Sequence, residues 1–207
     1  MAANYDNSAW FYDRLSRLVY GKALVRSQVY LLKHIPKKSS ILIAGGGTGW
    51  ILEEIAKVHP SGLNITYAEI SSNMMELSKK RNTGNNQVAF INEPVENIAI
   101  NTLYDVVFTP FLFDNFTEET LQQVFTHIHN RLKPEGIWLN IDFRPTGKWW
   151  QAFLLKSMII FFRAICGIEA KKLPDIERQF EQRQYQVIDQ KSFFGEFILS
   201  TAYRKKL

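Results

Sequence analysis

The strongest constraint on the fold is an alternation. Five short apolar runs, "SILIA", "NITYAEI", "QVAFI", "YDVVFT" and "GIWLNIDF", are interleaved with amphipathic segments such as "WILEEIAKV", "SSNMMELSKKR" and "TEETLQQVFTHIHNRL". Runs of strand length separated by helix-length periodic segments argue for an open, mostly parallel α/β sheet with helices on both faces. The run in "YDVVFT" is apolar on both sides of the pleat, the mark of a strand covered on both faces. In the helix after it, Leu121, Val124, Phe125, Ile128 and Leu132 fall on one face, with Thr117 and Thr120 as start signals. Ser71 or Ser72 is placed to cap the helix after the second strand. The alternation fails at the C-terminus. "YQVIDQKSFFGEFILSTAYRKK" holds two strand-like runs split near Gly195 with no room for a helix, which predicts a hairpin and antiparallel strands at one sheet edge. Before the first strand, "YDNSAWFYDRLSRLVYG" and "ALVRSQVYLLKHI" read as two amphipathic helices ending near Gly21 and Pro36.

Composition narrows the class. Of 207 residues, 46% are hydrophobic and 22% charged, which fits one globular domain with a full core. Neither repeats nor a linker divide the chain. The single cysteine, Cys166, excludes a disulfide framework or a Cys-based zinc site within it, and a reducing, cytoplasmic setting is expected. The start, "MAANYDNSAW", lacks a basic segment followed by an apolar one, so no signal peptide is expected. The net charge of +5 is spread over scattered pairs such as "KKSS" and "RKK", so no nucleic-acid partner is expected. His127 and His129 lie two apart on a helix and do not share a face, so no metal site is expected there.

The stretch "ILIAGGGTGW" at residues 41–50 carries the first chemical signal. A phosphate-binding Walker loop ends in Gly-Lys-Ser/Thr, but Thr48-Gly49-Trp50 stands there. A dinucleotide fingerprint needs a third glycine where Trp50 sits, whereas Gly45, Gly47 and Gly49 form G-x-G-x-G. Glycines at a tight turn out of a strand admit positive φ and let a flat nucleoside approach backbone N–H groups. Glu69 ends the second strand. A carboxylate at that place accepts hydrogen bonds from ribose hydroxyls, at the end of the sheet where ligands of such folds bind; the alternative is a surface carboxylate capping the next helix.

With these residues the chain resembles the class I S-adenosylmethionine (SAM)-dependent methyltransferases, type 11-like. "ILIAGGGTGW" matches the glycine motif and "ITYAEISSNMMELSKKR" the second strand with its acid and helix. "YDVVFTPFLFDNF" matches the fourth strand, and "LKPEGIWLNIDF" the turn into the fifth. The match covers about residues 39–143, and "FYDRLSRLVYG" is similar to methyltransferases of ubiquinone and menaquinone synthesis. The resemblance implies a Rossmann-like doubly wound sheet of seven strands, mostly parallel, with an antiparallel strand from the C-terminal hairpin. It implies one domain over residues 1–207: an N-terminal helical cap (1–38), a SAM-binding core (39–143), an apolar helical insertion (144–172), and a last helix with the hairpin (173–207). It implies SAM as cofactor, held by Ala44, Gly45, Gly46, Gly47, Thr48, Gly49, Glu69, Ile70, Met74, Glu93, Pro94, Val95 and Thr109. SAM has no phosphate, so a glycine loop without a cation suits it. The chain departs from the family at two places. Ile43 stands where an acid usually precedes the first glycine by two positions, and Glu93-Pro94-Val95 replaces the usual Gly-Asp-Ala after the third strand.

Methyl transfer rests largely on positioning, so no fixed triad is expected. An oxygen or carbon acceptor calls for a base, and Asp114 and Asp142 stand at strand ends. Asp114 equally fits as a cap for the helix that follows, and Asp142 as a structural group. Tyr12, with Tyr5, could line the acceptor pocket from the N-terminal helix or pack in the core. "GKWWQAFLLKSMIIFFRAICGI", residues 147–168, is apolar, but Lys156 and Arg163 interrupt it, which argues against a transmembrane span. It reads as a core or homodimer helix, or as a lid over a hydrophobic or aromatic small-molecule acceptor that can rest on a membrane with Trp149 and Trp150 at the headgroups. The other functions compatible with the sequence are a catalytically silent SAM-binding module and a nicotinamide-dependent oxidoreductase. Trp50 and the terminal hairpin argue against the latter.

Overall fold

The computed structural model describes residues 19–98, 102–167 and 170–206. Tyr5 and Tyr12, and most of the first expected helix, lie outside the described residues. The elements run α1 (Ala23–Leu31), β1 (Ser40–Ala44), α2 (Trp50–Val58), β2 (Ser61–Ala68), α3 (Ser72–Ser78), β3 (Asn85–Ile91) and β4 (Tyr104–Pro110). There follow α4 (Glu118–His129), β5 (Leu132–Phe143), α5 (Trp149–Cys166), α6 (Ile176–Gln182), β6 (Gln186–Phe193) and β7 (Ile198–Arg204).

All seven strands form one sheet in the order β3-β2-β1-β4-β5-β7-β6. Pairs among β1 to β5 are parallel, while β7 runs antiparallel to both β5 and β6. The strand order reverses between β1 and β4. A doubly wound sheet opens a crevice at such a point, beyond the strands' carboxyl ends.

Period-two alternation divides the core into two layers. Along β1, Ile41 and Ile43 face the layer that also holds Leu31 of α1 and Ile51 and Ile55 of α2. Leu42 and Ala44 face the opposite layer, with Leu121, Val124, Phe125 and Ile128 of α4 and Phe180 of α6. The stripe expected on α4 is therefore buried, apart from one shift. Leu132 is the first residue of β5 rather than the last of the helix. β5 starts four positions earlier than the run "GIWLNIDF" because Tyr104 pairs with Leu132 and Val106 with Ile137, so Lys133–Gly136 bulges between two paired stretches.

The caps follow local chemistry. Ser71 accepts the Met74 amide and Thr117 accepts the Thr120 amide. Thr117, not Asp114, caps α4. At the other sheet edge, α1 and the turn after it are clamped to β6. Asp189 accepts from the Tyr30 hydroxyl at 2.8 Å and pairs with His34 Nε2 and Lys33 Nζ at 2.7 Å each.

α5 is the longest helix among the described residues. Its start is tied to the β6–β7 turn. Gln151 Nε2 and Lys148 Nζ donate to the Gly195 carbonyl at 3.0 Å, and the Trp150 ring packs edge-on against Phe194 and Phe197. Its inward face, with Leu154, Leu155 and Met158, packs on the core. Its outward face leaves Trp149 81%, Phe153 70% and Ile160 58% exposed. Lys156 and Arg163 do not take α5 below the threshold of a span as the sequence argument expects. By length and composition alone the helix could cross a membrane, with 17% of it buried.

Candidate functional site

A cavity of about 710 Å³ opens over the β1–β4 crevice, within the range of small-molecule sites. One half is built by the loops after β1, β2 and β3. The other is built by the β4 loop, Phe143 at the end of β5, α1 and the inner face of α5.

The glycine loop is braced from below by β2. Its opening is tied to the sheet by the Gly45 amide, which donates to the Ala68 carbonyl at 2.9 Å. The Tyr67 hydroxyl donates to the Gly47 carbonyl at 2.9 Å. A Cβ on Gly46 would stand 2.3 Å from the Tyr67 ring, one on Gly45 2.9 Å from Leu112, and one on Gly49 2.5 Å from Ser78. Only Gly47 among these four faces open space, at φ +63. The expectation that the glycines make room for a ligand is thus corrected for three of them: Gly45, Gly46 and Gly49 make room for the protein's own side chains. Gly49, at φ +76, also turns the chain into α2.

Glu69 is buried and joins two loops. Its Oε2 accepts the Gly47 amide and its Oε1 the Ser71 amide, each at 2.9 Å. It is not a surface cap of the next helix, since it is buried and Ser71 caps α3; it braces the Ser71 amide and lines the cavity beside the glycine loop. Asn92, which the sequence argument did not single out, supports it. Its amide donates to the Glu69 and Ile70 carbonyls at 2.8 and 3.1 Å.

Gly45, Gly46, Gly47, Thr48, Glu69, Ile70, Met74, Glu93, Pro94 and Val95 all line the cavity. Ala44, Gly49 and Thr109 do not. Ala44 is packed in the sheet's second layer. Thr109 is fully buried, accepting from Trp138 Nε1 at 2.9 Å and donating to Asn140 Oδ1 at 2.8 Å. A threonine on a buried strand takes its partners from neighbouring strands, so its place in β4 gives no access to the crevice. Ile43, at the position of the family's usual acid, is a fully buried core residue.

The β4 loop carries the second cluster. Phe111 is held at φ 53, a costly conformation for a large side chain that recurs at functional sites. Its amide donates to the Ile141 carbonyl at 2.8 Å. Asp114 follows in a short 3-10 turn, Phe113–Asn115, and lines the cavity, with Asn115 Nδ2 donating to its carboxylate at 2.6 Å. Asp142 stands behind it, off the cavity wall. Its Oδ1 accepts the Phe143 amide at 2.9 Å and its Oδ2 the Phe113 amide at 3.3 Å. Burial pushes the Asp142 carboxyl up to about 7, against the pull of those amides. Burial, and then the Asp142 charge, push Asp114 well above the usual carboxylate range. Tyr20, fully within this wall, donates to Met158 Sδ at 3.3 Å, and burial with the nearby Asp114 charge pushes its phenol up. Tyr20, Gln28 and Phe143 carry no motif. Only the fold brings them to the cavity.

Among the described residues lining the cavity, every charged side chain is acidic: Glu69, Glu93, Glu96 and Asp114. The remaining wall is mostly aromatic and aliphatic.

Comparison with known proteins agrees with this geometry. Residues 41–136 match the model of a methyltransferase domain. The chain is 28% identical over 138 residues to a malonyl-[acyl-carrier protein] O-methyltransferase of Bacillus cereus, covering 65% of this chain and 49% of that protein. It is 32% identical over 132 residues to the enzyme of the same name from Priestia megaterium, covering 64% and 47%. The chain thus spans about half the length of these curated relatives. Among solved structures, a Burkholderia thailandensis 1,6-didemethyltoxoflavin-N1-methyltransferase with bound 1,6-didemethyltoxoflavin and S-adenosylhomocysteine superposes with a TM-score of 0.68. It is 14% identical, covering 97% of this chain and 85% of that one. Human N-acetylserotonin methyltransferase in complex with SAM gives 0.64 at 15% identity, covering 88% and 52%. With the glycine loop, the acid after β2 and the antiparallel β7 all in place, the chain has the fold of these methyltransferases, and its residues 41–136 are similar to a methyltransferase domain.

Proposed function

We propose that this protein transfers the methyl group of SAM to a small, largely apolar acceptor bound in the same cavity. The observation that carries this reading is the sign of the site. SAM brings a sulfonium and an ammonium against one carboxylate, so it is a net cation. The cavity beside the glycine loop is lined by acids and by no Lys or Arg among the described residues. A nicotinamide dinucleotide would bring its pyrophosphate to the same loop with no cation to meet it. The Glu69 carboxylate fits the ribose hydroxyls, and Gly47 leaves the loop open on the cavity side. When bound, SAM supplies an activated methyl group, and the chain's task is to orient the acceptor and exclude water.

Titration calorimetry with S-adenosylhomocysteine, with NADH in parallel, tests the cofactor. Binding of the first alone supports the reading, and NADH binding alone overturns it. Methyl release with candidate acceptors then separates an enzyme from a silent SAM-binding module.

We also propose that α5 lies on an anionic membrane surface. Its outward face presents Trp149, Phe153 and Ile160 beside the cations Lys156 and Arg163, with no acidic residue on the helix. That pattern suits headgroups of negative charge over an apolar layer. The ties to the β6–β7 turn favour a helix lying along the surface over one crossing the bilayer.

A further inference from the structure

The curated relatives' name describes the methylation of a malonyl group on a carrier protein, and malonyl ends in a free carboxylate. An anionic acceptor in a low-dielectric cavity needs a cation or several donors. The cavity offers neutral polar side chains such as Gln28, Asn115 and Thr120, but no cation, and it sets carboxylates beside them. Among the described lining residues there is no Lys, Arg or His, and its deep acceptor half holds Asp114, with Asp142 directly behind. Tyr20 lies close to Asp114, and Phe111, Phe116, Phe143 and Phe161 line the same cavity.

Resting on the methyltransferase reading above, we propose that the acceptor is an uncharged, ring-bearing molecule with a hydroxyl or amine N–H, and that Asp114 receives its proton. The acceptor's oxygen or nitrogen forms a bond to the methyl carbon as the carbon–sulfur bond breaks. The sulfur keeps that electron pair and becomes a neutral thioether. The proton of the O–H or N–H passes to the Asp114 carboxylate and leaves to solvent after release. The charges balance, because a cation and a neutral acceptor give a neutral thioether, a methylated acceptor and one proton.

Asp142 is a positioning residue in this scheme. It is out of the acceptor's reach, being 4% exposed and bonded to the amides of Phe113 and Phe143. Through those amides it fixes the Phe113–Asn115 turn that carries Asp114. The ionisable groups facing Asp114 are Asp142 from β5 and the Tyr20 phenol, with Glu69, Glu93 and Glu96 elsewhere on the same cavity. None can offset a second negative charge on the acceptor. Burial, and then the Asp142 charge, raise the proton affinity of Asp114, so it takes up the acceptor's proton once the pH is high enough to ionise it.

The test needs no knowledge of the natural acceptor. The protein is first saturated with S-adenosylhomocysteine; if that does not bind, the methyltransferase reading itself fails. The saturated protein is then titrated with naphthylmethanol and with naphthoate, a pair matched in ring and opposed in charge. At pH 8 the alcohol is expected to bind at least about 10-fold more tightly. Asp114→Asn should narrow that preference to a few-fold while leaving S-adenosylhomocysteine affinity within about 2-fold. The wild type provides a second readout that needs no variant. Naphthoate binding should weaken as the pH is raised from 5 to 9, and naphthylmethanol binding should not. Tighter or equal binding of naphthoate, binding of neither probe, or a preference unmoved by both Asp114→Asn and pH overturns the proposal.

Discussion

The Tyr67 hydroxyl donates to the Gly47 carbonyl at 2.9 Å while the Tyr67 ring occupies the space where a Cβ of Gly46 would lie. One side chain of β2 therefore fixes the shape of the glycine loop from beneath. Gly46 and Gly47, adjacent in sequence, are glycine for different reasons. Gly46→Ala drives a methyl into an aromatic ring within a packed core and is expected to lower stability by about 1–3 kcal/mol. Gly47→Ala meets no atom but must hold φ +63, so it should cost about 1 kcal/mol and act mainly on the ligand. Thermal unfolding and S-adenosylhomocysteine titration of both variants check the split. The first should move the melting temperature more, and the second the affinity.

Glu69→Gln should weaken S-adenosylhomocysteine and also lower stability by about 1–3 kcal/mol, since its amide can accept from only one of the Gly47 and Ser71 N–H groups. The carboxylate accepts two amides in the protein and, in the proposed cofactor site, would also accept ribose hydroxyls; a charged acceptor is worth about 1.5–3 kcal/mol per bond. A loss of about 10- to 100-fold in affinity by calorimetry is expected, with far-UV circular dichroism unchanged. An affinity equal to wild type would remove Glu69 from the cofactor site.

The Asp114–Asp142 pair makes stability fall as pH rises. Asp142 titrates at about 7 in the folded protein against an ordinary 3.8, so the folded chain binds more protons between these values than the unfolded one. The slope of unfolding free energy with pH is then negative. The stabilisation is complete below pH 3.8 and lost as the pH passes through about 7. Melting temperatures measured from pH 5 to pH 8 should decline in the wild type and decline less in Asp142→Asn. That variant should also lose about 1–3 kcal/mol at all pH values, since its amide can accept from only one of the Phe113 and Phe143 N–H groups.

Co-sedimentation with vesicles checks the face of α5. Wild-type protein should pellet with vesicles containing anionic lipid and less with purely zwitterionic ones, and added salt should release it. Trp149 and Phe153 are largely exposed, so their joint replacement by serine should abolish pelleting without moving the melting temperature by more than a few degrees. Pelleting unaffected by the replacement, or by lipid charge, would assign this face to another partner.

The sequence by itself determined the order of elements and the location of the loop that matters. The alternation of apolar runs and amphipathic helices, the Gly195 turn and the G-x-G-x-G pattern are local signals, because strand and helix periods and turn chemistry act over a few residues. Glu69 was legible for the same reason, as the acid closing an apolar run. The tertiary structure decided which side chains meet. Tyr67 beneath Gly46, Asp142 behind Asp114, and Tyr20 and Met158 across the cavity are contacts between distant segments. Thr109 and Ala44 lie in a strand that reaches the crevice, or border the loop that does, yet face the core, because which way a side chain points depends on strand pairing. The sign of the cavity was equally invisible. Scattered lysines and arginines give the whole chain +5, while among the described residues packing brings acids and no lysine or arginine to the wall of the cavity.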